Sequence, residues 1–379
     1  MEISQYEKRY NELAKRILLH CSVEHPDGNV FVSPFSVLML LSLAARSTAG
    51  ESREEILDFL NSYPGQDIAS TALIMFQKML SRSKGFTSAN AVCVRQDYAR
   101  TIKEKYVELV LHGCNGQLFT SGNMLEDVNR WAEKTTKGMI KSIMPETLNG
   151  ALFCLLNAVA FEAAWECPIK DRSVSKRIFY NADGTKSHVQ MLYSSEDLYT
   201  EDERFTGFVK PYEKSEFVFM ALLPRRKDDL LKNLQKIDFT GLYNAADWND
   251  VHIHMPEFSF DYSMDLEPFC MKEGISEIWT PQADFSPLSG AWLKMDAIMH
   301  HASIEVSRTG TRAAAYTIGM IGLGSLPPTR FKEVNLNRPF LFAILHSKTG
   351  FPVFTGIVNH LPDETTLSRS STAKDKSFH

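Results

Sequence analysis

Residues 303–329 read SIEVSRTGTRAAAYTIGMIGLGSLPPT, and this stretch decides how the rest of the chain is interpreted. Gly310 can adopt backbone angles that are closed to other residues, so it suits a pivot. After it come residues that are small or compatible with a strand, and Ala313 to Ala315 carry almost no side chain. Because side chains alternate along a strand, four small residues would share one face: Thr311, Ala313, Ala315 and Thr317. The pattern predicts a segment that can be buried as a strand on that face.

The second half of the stretch has the composition of a loop that is exposed to solvent. Gly319, Gly322 and Gly324 keep the backbone flexible, and Pro327-Pro328 prevents continuation into a helix. The glycine spacing does not match a dinucleotide-binding fingerprint, because prolines follow where a helix should begin.

The chain on either side changes character near residue 150. Before it, Ser33-Pro34 forms the start signal of a helix, and further helices are predicted over 3–17, 51–60 and 124–140. After it, strands are predicted over 151–161, 205–211, 216–223 and 251–255, with two more in 338–359 around the turn 348–350. Helices first and strands later, without regular βαβ alternation, predict an α+β (mixed α/β) fold.

Composition narrows the possible partners. The 379 residues are 44% hydrophobic and carry a net charge of −5, so no positive field exists to hold nucleic acid or an anionic membrane. The most apolar stretch, Val30 to Ala45, is shorter than the roughly 20 residues a spanning helix needs. The N-terminus has no signal-peptide pattern. We therefore expect synthesis in the cytoplasm, with action also in the extracellular space after unconventional export.

Residues that could carry chemistry are few. The six cysteines have no paired spacing and are expected to be free and mostly buried. No Gly-x-Ser-x-Gly elbow occurs, which disfavours a serine hydrolase. His252 and His254 could share one face of a strand and ligate a metal ion, but no third ligand stands at a suitable spacing. We therefore expect both histidines to face solvent and expect no metal site.

Several segments resemble the serpin family. They are FVSPFSVLMLLSLAARSTAGESREEILDFL (31–60), DVNRWAEKTTKGMIKSIMP (127–145), LNAVAFEAAWECPI (156–169), MPEFSFDYSMDLEPFCMKEGISEIWTPQADFSPLSG (255–290), HHASIEVSRTGTRAAAYT (300–317) and NRPFLFAILHSKTGFPVFTGIVNHL (337–361). The last two are the most specific, and the segments follow the family order over nearly the whole chain.

The resemblance implies one metastable domain over residues 1–361 and a polar tail at 362–379. It also implies three β-sheets, eight to nine helices, and an exposed reactive loop at about 308–328. A serine protease cleaves this loop as if it were a substrate, the hinge side inserts as a new strand, and the protease stays covalently attached. Strand insertion of this kind is a known example of released strain. A monomeric protease inhibitor without a cofactor is therefore expected.

The resemblance also assigns residues to the loop. Its hinge comprises Arg308, Gly310, Thr311, Ala313, Ala314 and Ala315. The usual loop length places the cleaved bond at Gly324-Ser325, and a slip of one residue places it at Leu323-Gly324. Since no Lys or Arg lies between Ala313 and Thr329, trypsin-like targets are disfavoured. Leu323 suits a chymotrypsin-like pocket, whereas Gly324 or Ile321 suits an elastase-like one.

Other positions match parts of the family that respond to insertion. Ser33, Ser36, Asn157 and His300 match a buried polar cluster beneath the central sheet, and Trp165 matches the aromatic residue where the sheet opens. None of these residues is expected to be catalytic. Lys78, Arg82 and Lys84 are the only basic residues in the region matching the heparin-binding helix, so heparin activation is not expected.

The hinge departs from the family at three positions. Inhibitory members usually have Glu at the positions of Arg308 and Arg312, and a small residue at the position of Tyr316. The change at Arg308 could loosen a salt bridge where the sheet opens. Two alternatives therefore stay open: a non-inhibitory carrier, chaperone or decoy, and a cross-class inhibitor of a cysteine protease.

Overall fold

The computed structural model describes residues 3–61, 85–113, 116–143, 145, 150–227, 229–311 and 331–363. The chain falls into two units, described separately below. The first comprises Met1–Phe31, Glu162–Phe260 and Ile304–His379, and the second comprises Val32–Phe161 and Asp261–Ser303. The prediction of one domain over residues 1–361, with a tail at 362–379, stays a prediction.

The helices and strands of the described residues alternate irregularly along the chain. The helices are α1 (Ile3–Glu24), α2 (Pro34–Ser47), α3 (Gly50–Asn61), α4 (Glu104–Glu108), α5 (Met124–Thr135), α6 (Leu230–Leu234), α7 (Phe239–Asn244) and α8 (Glu267–Lys272). The strands are β1 (Val30–Val32), β2 (Phe86–Arg95), β3 (Gly116–Ser121), β4 (Phe153–Phe161), β5 (Ala163–Ala164), β6 (Val174–Tyr180), β7 (Lys186–Glu201), β8 (Phe205–Pro211), β9 (Phe217–Pro224), β10 (Asp247–Pro256), β11 (Phe258–Asp265), β12 (Ala297–Ser307), β13 (Gly310–Thr311), β14 (Lys332–Asn335), β15 (Phe340–His346) and β16 (Pro352–Val358).

The first unit contains a nine-stranded sheet in the order β1-β16-β15-β9-β8-β7-β10-β14, with β6 also paired to β7. The long strand β7 joins two groups of strands. Its residues 186–192 pair with β6, its residues 198–201 pair with β8, and residues between 191 and 199 pair with β10. If the two groups of strands that β7 joins are counted as two sheets, the sheet that contains β4 and β12 is the third. The architecture then agrees with the three sheets that were expected.

Aromatic stacking fills the core of this unit. The ring of Phe31 lies 5.0 Å from that of Phe354 and 5.7 Å from that of Phe342, centroid to centroid. Gly356 allows this packing, because a Cβ atom there would lie 2.3 Å from the ring of Phe342. The predicted strands around residues 348–350 are confirmed as β15 and β16, with Gly350 at a φ of 68° in the turn.

In the second unit, β3, β2, β4 and residues 297–303 of β12 lie side by side. β2 is parallel to β3 and antiparallel to β4. β4 and β12 are parallel neighbours from Cys154↔Ala297 to Ala160↔Ser303. All nine residues of β4 are buried, as the apolar run at 151–161 predicted.

Helix α2 begins where Ser33-Pro34 predicted it. Ser33 is the N-cap, and its Oγ accepts a hydrogen bond from the Ser36 backbone N–H at 3.2 Å. Pro34 occupies the first turn, where a missing N–H costs nothing. The helix is apolar nearly all round and almost entirely buried, as expected for a helix inside a core.

Helix α5 packs on the sheet of the second unit. Val128, Trp131 and Ala132 are buried and belong to one cluster with residues of β2, β4 and β12, among them Ala91, Cys154 and Met299. The helix across the main sheet, expected from the resemblance, is therefore found. It ends at Thr135 and not at Ile140 as predicted.

Five cysteines lie among the described residues and all are free. Cys21, Cys93, Cys154 and Cys270 are buried and Cys167 is exposed, which confirms the expectation of mostly buried thiols for these five. No helix in the described part of the chain is long and apolar enough to cross a membrane.

Candidate functional site

The chain reverses direction directly after β12. Arg308 and Thr309 form the turn, and β13 returns antiparallel to β12, with Ser307 opposite Gly310 and Val306 opposite Thr311. On its other side, β13 pairs antiparallel with β5, where Gly310 lies opposite Ala164 and Thr311 opposite Ala163. The first two residues after the turn therefore already occupy a strand between two others. We call residues 307–311 the hinge turn.

Trp165 holds the hinge turn through both its backbone and its side chain. Its backbone N–H donates to the Thr309 carbonyl oxygen at 3.0 Å, and its Nε1–H donates to the Ser307 carbonyl oxygen at 2.9 Å. The indole is fully buried and stacks on Tyr212 at a centroid distance of 4.6 Å. The Tyr212 hydroxyl in turn lies 2.6 Å from Thr311 Oγ1. Burial raises the pKa of Tyr212 far above its usual value, so this phenol stays neutral.

A buried ion pair lies beside Trp165 and was not found from the sequence. Lys210 Nζ lies 2.5 Å from Glu196 Oε1, and their side chains are 1% and 6% exposed. The ammonium also donates to the Cys167 carbonyl oxygen at 3.2 Å and lies 5.4 Å from the centroid of the Trp165 ring. The signal was available, because Lys210 is the only charged residue of the apolar strand FTGFVKP.

Arg308, the departure noted at the hinge, has acidic neighbours. Its Nε lies 3.0 Å from Asp171 Oδ1, and its backbone N–H donates to Glu257 Oε1 at 3.0 Å. The Ile169 backbone N–H donates to the Arg308 carbonyl oxygen at 2.8 Å. Arg308 therefore forms an ion pair at the turn, although its side chain is 49% exposed and the pair contributes little stability.

The polar residues expected beneath the central sheet form one hydrogen-bonded network in the second unit. The Ser33 backbone N–H donates to His300 Nε2 at 3.1 Å, and His300 Nδ1 lies 2.9 Å from Asn157 Oδ1. Because Nε2 accepts, the network assigns the ring proton of a neutral imidazole to Nδ1, which donates to Asn157. Burial lowers the pKa of His300 to about 3, so the neutral form persists at physiological pH.

Asn90 extends this network and was missed by the sequence analysis. Asn157 Nδ2 donates to Asn90 Oδ1 at 3.0 Å, and the two residues lie opposite each other on β2 and β4. An Asn in a buried strand was the available signal. Ser36 takes part only through its backbone, because its Oγ is buried and has no hydrogen-bond partner among the residues that the structure describes. We call Ser33, Asn90, Asn157 and His300 the polar cluster.

The predicted site residues do not form one cluster. Trp165 contacts the hinge turn in the first unit, whereas the polar cluster belongs to the second. The remaining predicted positions lie outside the described residues: Lys78, Arg82, Lys84, Arg312, Ala313, Ala314, Ala315, Tyr316, Ile321, Leu323, Gly324 and Ser325.

His252 and His254 make aromatic and polar contacts and are only partly solvent-facing. The His252 ring stacks on Phe331 at 4.4 Å, and its Nδ1 lies 3.3 Å from the Tyr193 hydroxyl. Partial burial lowers the pKa of His254. Among the described residues, no group of three or more His, Cys, Asp or Glu side chains could hold a metal ion.

Comparison with known proteins identifies the family to which this fold belongs. The model of the serpin (serine protease inhibitor) family matches residues 8–361, and the chain belongs to this family. Serpin-Z10 of Arabidopsis thaliana is 28% identical over 94% of this chain and 98% of its own length. Human Serpin B3 is 27% identical over 87% of this chain and 93% of its own.

Solved structures agree with the fold. The thermophilic serpin tengpin in its native state superposes with a TM-score of 0.84 at 28% identity, covering 95% of both chains. Human thyroxine-binding globulin superposes with a TM-score of 0.83 at 21% identity, covering 95% of this chain and 99% of its own. Membership in the family supports a protease-inhibitor type of function in general.

Proposed function

We propose that this chain inhibits serine proteases of chymotrypsin-like or elastase-like specificity through cleavage and insertion of the loop at 308–328. One observation carries the proposal. Gly310 and Thr311 already pair on both sides, with the end of β12 and with β5. A strand that has been started in this way can be lengthened by the residues that follow it.

The inserted strand is proposed to continue the register of Val306↔Thr311 along β12. In that register Ala315 would lie opposite Ala302 and Thr317 opposite His300. β12 has β4 as its neighbour there, and the seven paired positions from Ala297 to Ser303 would have to part. Thr311 is fully buried, and the residues that continue its face are small, as burial requires.

The energetic gain follows from the hydrogen bonds. Parting β4 from β12 breaks one parallel ladder, and a strand between them makes two antiparallel ones. The net gain is one ladder of about seven bonds at about 1 kcal/mol each, or roughly 7 kcal/mol. Ordering the inserted residues costs about 1–2 kcal/mol each and offsets much of this gain, so burial of the small side chains must supply the remaining stability.

The target class is inferred from the loop sequence. The absence of Lys and Arg between Ala313 and Thr329 disfavours proteases with an acidic specificity pocket. Leu323 fits a chymotrypsin-like pocket, whereas Gly324 fits an elastase-like one. Mass spectrometry of the peptide released by each enzyme reads the cleaved bond directly.

The test is a gel of the chain incubated with chymotrypsin or elastase. An inhibitor yields an SDS-resistant covalent complex, whereas a decoy or carrier yields only the clipped chain. Ala315→Arg places a charge on the inward face and should convert the inhibitor into a substrate. Ala314→Arg, on the outward face, is the matched control and should keep the complex. A complex with papain-like enzymes alone would favour the cross-class alternative, and clipping without any complex would refute inhibition.

A further inference from the structure

The buried ion pair of Lys210 and Glu196 has no evident reason to exist for stability. Lys210 lies in β8, whose other buried residues are apolar, and Glu196 lies in β7. Replacing such a pair by apolar residues of similar volume is often neutral or even stabilising, because both charges must be taken out of water. A buried cation at this place therefore calls for an explanation in terms of what it contacts.

The Lys210 ammonium contacts two parts of one segment. It donates to the Cys167 carbonyl oxygen at 3.2 Å and lies 5.4 Å from the centre of the Trp165 ring. Glu196 fixes the ammonium at 2.5 Å, and Ser194 Oγ donates to the same carboxylate oxygen. The cation is thus held in place from one side and holds residues 165–167 from the other.

The same segment binds the hinge turn. The Trp165 N–H donates to the Thr309 carbonyl oxygen at 3.0 Å, and the Ile169 N–H donates to the Arg308 carbonyl oxygen at 2.8 Å. Between these two donors, Cys167 offers its carbonyl oxygen to Lys210. We call residues 165–169 the clamp. Lys210 therefore contacts the clamp at its aromatic end and at its middle residue.

We propose that Lys210 is a positioning residue for loop insertion, acting through the clamp to keep Gly310 and Thr311 paired. This inference rests on the proposed inhibitory function. With the clamp fixed, the nicked loop extends a strand that already exists. Insertion is then faster than the deacylation that would release the protease. Without the cation, the turn loosens, the first pairs must be re-formed, and more protease escapes by deacylation.

The experiment removes both charges together. Lys210→Met combined with Glu196→Leu leaves no buried charge unpaired, so the native thermal midpoint should not fall. The ratio of clipped inhibitor to covalent complex should rise about fivefold, the equivalent of about 1 kcal/mol, which lies within the range of a cation–π contact. Lys186→Met is the matched control, because Lys186 lies 5.5 Å from the centre of the Tyr180 ring on an exposed surface. The control should give the same ratio as the wild type.

A second variant separates the cation from its hydrogen bonds. Lys210→Gln keeps a donor for Glu196 and for the Cys167 carbonyl but carries no charge. Because Glu196 stays buried without its cation, the thermal midpoint should fall. The ratio of clipped inhibitor to complex should rise to the same order as in the double variant. If both variants consume as little inhibitor as the wild type, Lys210 has no positioning role. A fall in thermal midpoint with unchanged consumption would show a purely structural role and would overturn the inference equally.

Failure of the proposed function can be recognised independently. The wild type is nicked in the loop, and its thermal midpoint is compared before and after cleavage. A wild type that forms no complex and gains no stability refutes inhibition itself. A wild type that gains stability, together with variants that inhibit equally well, refutes only the role of Lys210.

Discussion

Acid should destabilise this protein in part through one buried side chain, His300. Its imidazole is neutral, accepts the Ser33 N–H at Nε2 and donates to Asn157 from Nδ1. A second ring proton would place an N–H against the Ser33 N–H and a charge in a site without solvent. Burial lowers the pKa of His300 to about 3, compared with 6.5 in the absence of the fold.

The sign and size of the effect follow from these two pKa values. Between pH 6.5 and 3 the unfolded chain takes up a proton that the folded chain refuses, so the free energy of unfolding falls as the pH falls. The stabilisation of the neutral form is fully present above pH 6.5. At pH 5 the chain lies about 1.5 pH units below the unfolded pKa, and about 2 kcal/mol should have been lost.

Urea unfolding at pH 7 and pH 5 measures this loss, and His300→Gln removes the titrating group. The wild type should lose about 2 kcal/mol more than the variant over this interval. His301→Gln is a matched control, because His301 is the next residue on β12 and burial also lowers its pKa. It should retain the contribution of His300. Equal losses in the wild type and in His300→Gln would refute the assignment of the neutral imidazole.

Three further substitutions test individual contacts by urea unfolding. Tyr212→Phe removes the hydroxyl that lies 2.6 Å from Thr311 Oγ1 and should cost about 1–2 kcal/mol; no loss would mean that this bond does not hold the strand start. Arg308→Ala should cost less than about 1 kcal/mol in low salt and nothing in 1 M salt, because its pair with Asp171 is exposed; a large, salt-independent loss would contradict this. Trp131→Ala should cost about 3–5 kcal/mol, because the ring is 8% exposed between α5 and the sheet, and a loss below 1 kcal/mol would show that α5 is not held by packing.

Local signals in the sequence predicted local structure well. Ser33-Pro34 is read from two adjacent residues, and α2 begins there. Helix α5 was predicted to reach Ile140, but Lys137 and Gly138 have φ values of 53° and 77°. The Gly138 N–H bonds to the Glu133 carbonyl at 2.7 Å, which is a glycine-type helix end. Gly138 was a recognisable signal for the end of a helix, but the prediction gave more weight to the spacing of the apolar residues.

Long-range features were not accessible in the same way. Strand β7 was not predicted, because its residues 186–201 mix buried and exposed positions without strict alternation. The polar cluster was named only through resemblance, since nothing local distinguishes His300 from any other core histidine. Asn90 and Lys210 were missed because their roles depend on partners on other strands, Asn157 and Glu196.

The polar cluster and the buried pair of Lys210 and Glu196 differ in the strength of their contacts. The polar cluster lies across the β4–β12 pairing that insertion would have to part, and its bonds are between neutral groups. A neutral hydrogen bond contributes only about 1 kcal/mol net, so it can be broken and replaced during insertion. Lys210 and Glu196 instead form a charge-assisted contact, and separating a buried pair costs several kcal/mol. If the loop inserts as proposed, the bonds of the polar cluster are therefore cheaper to break than the pair of Lys210 and Glu196.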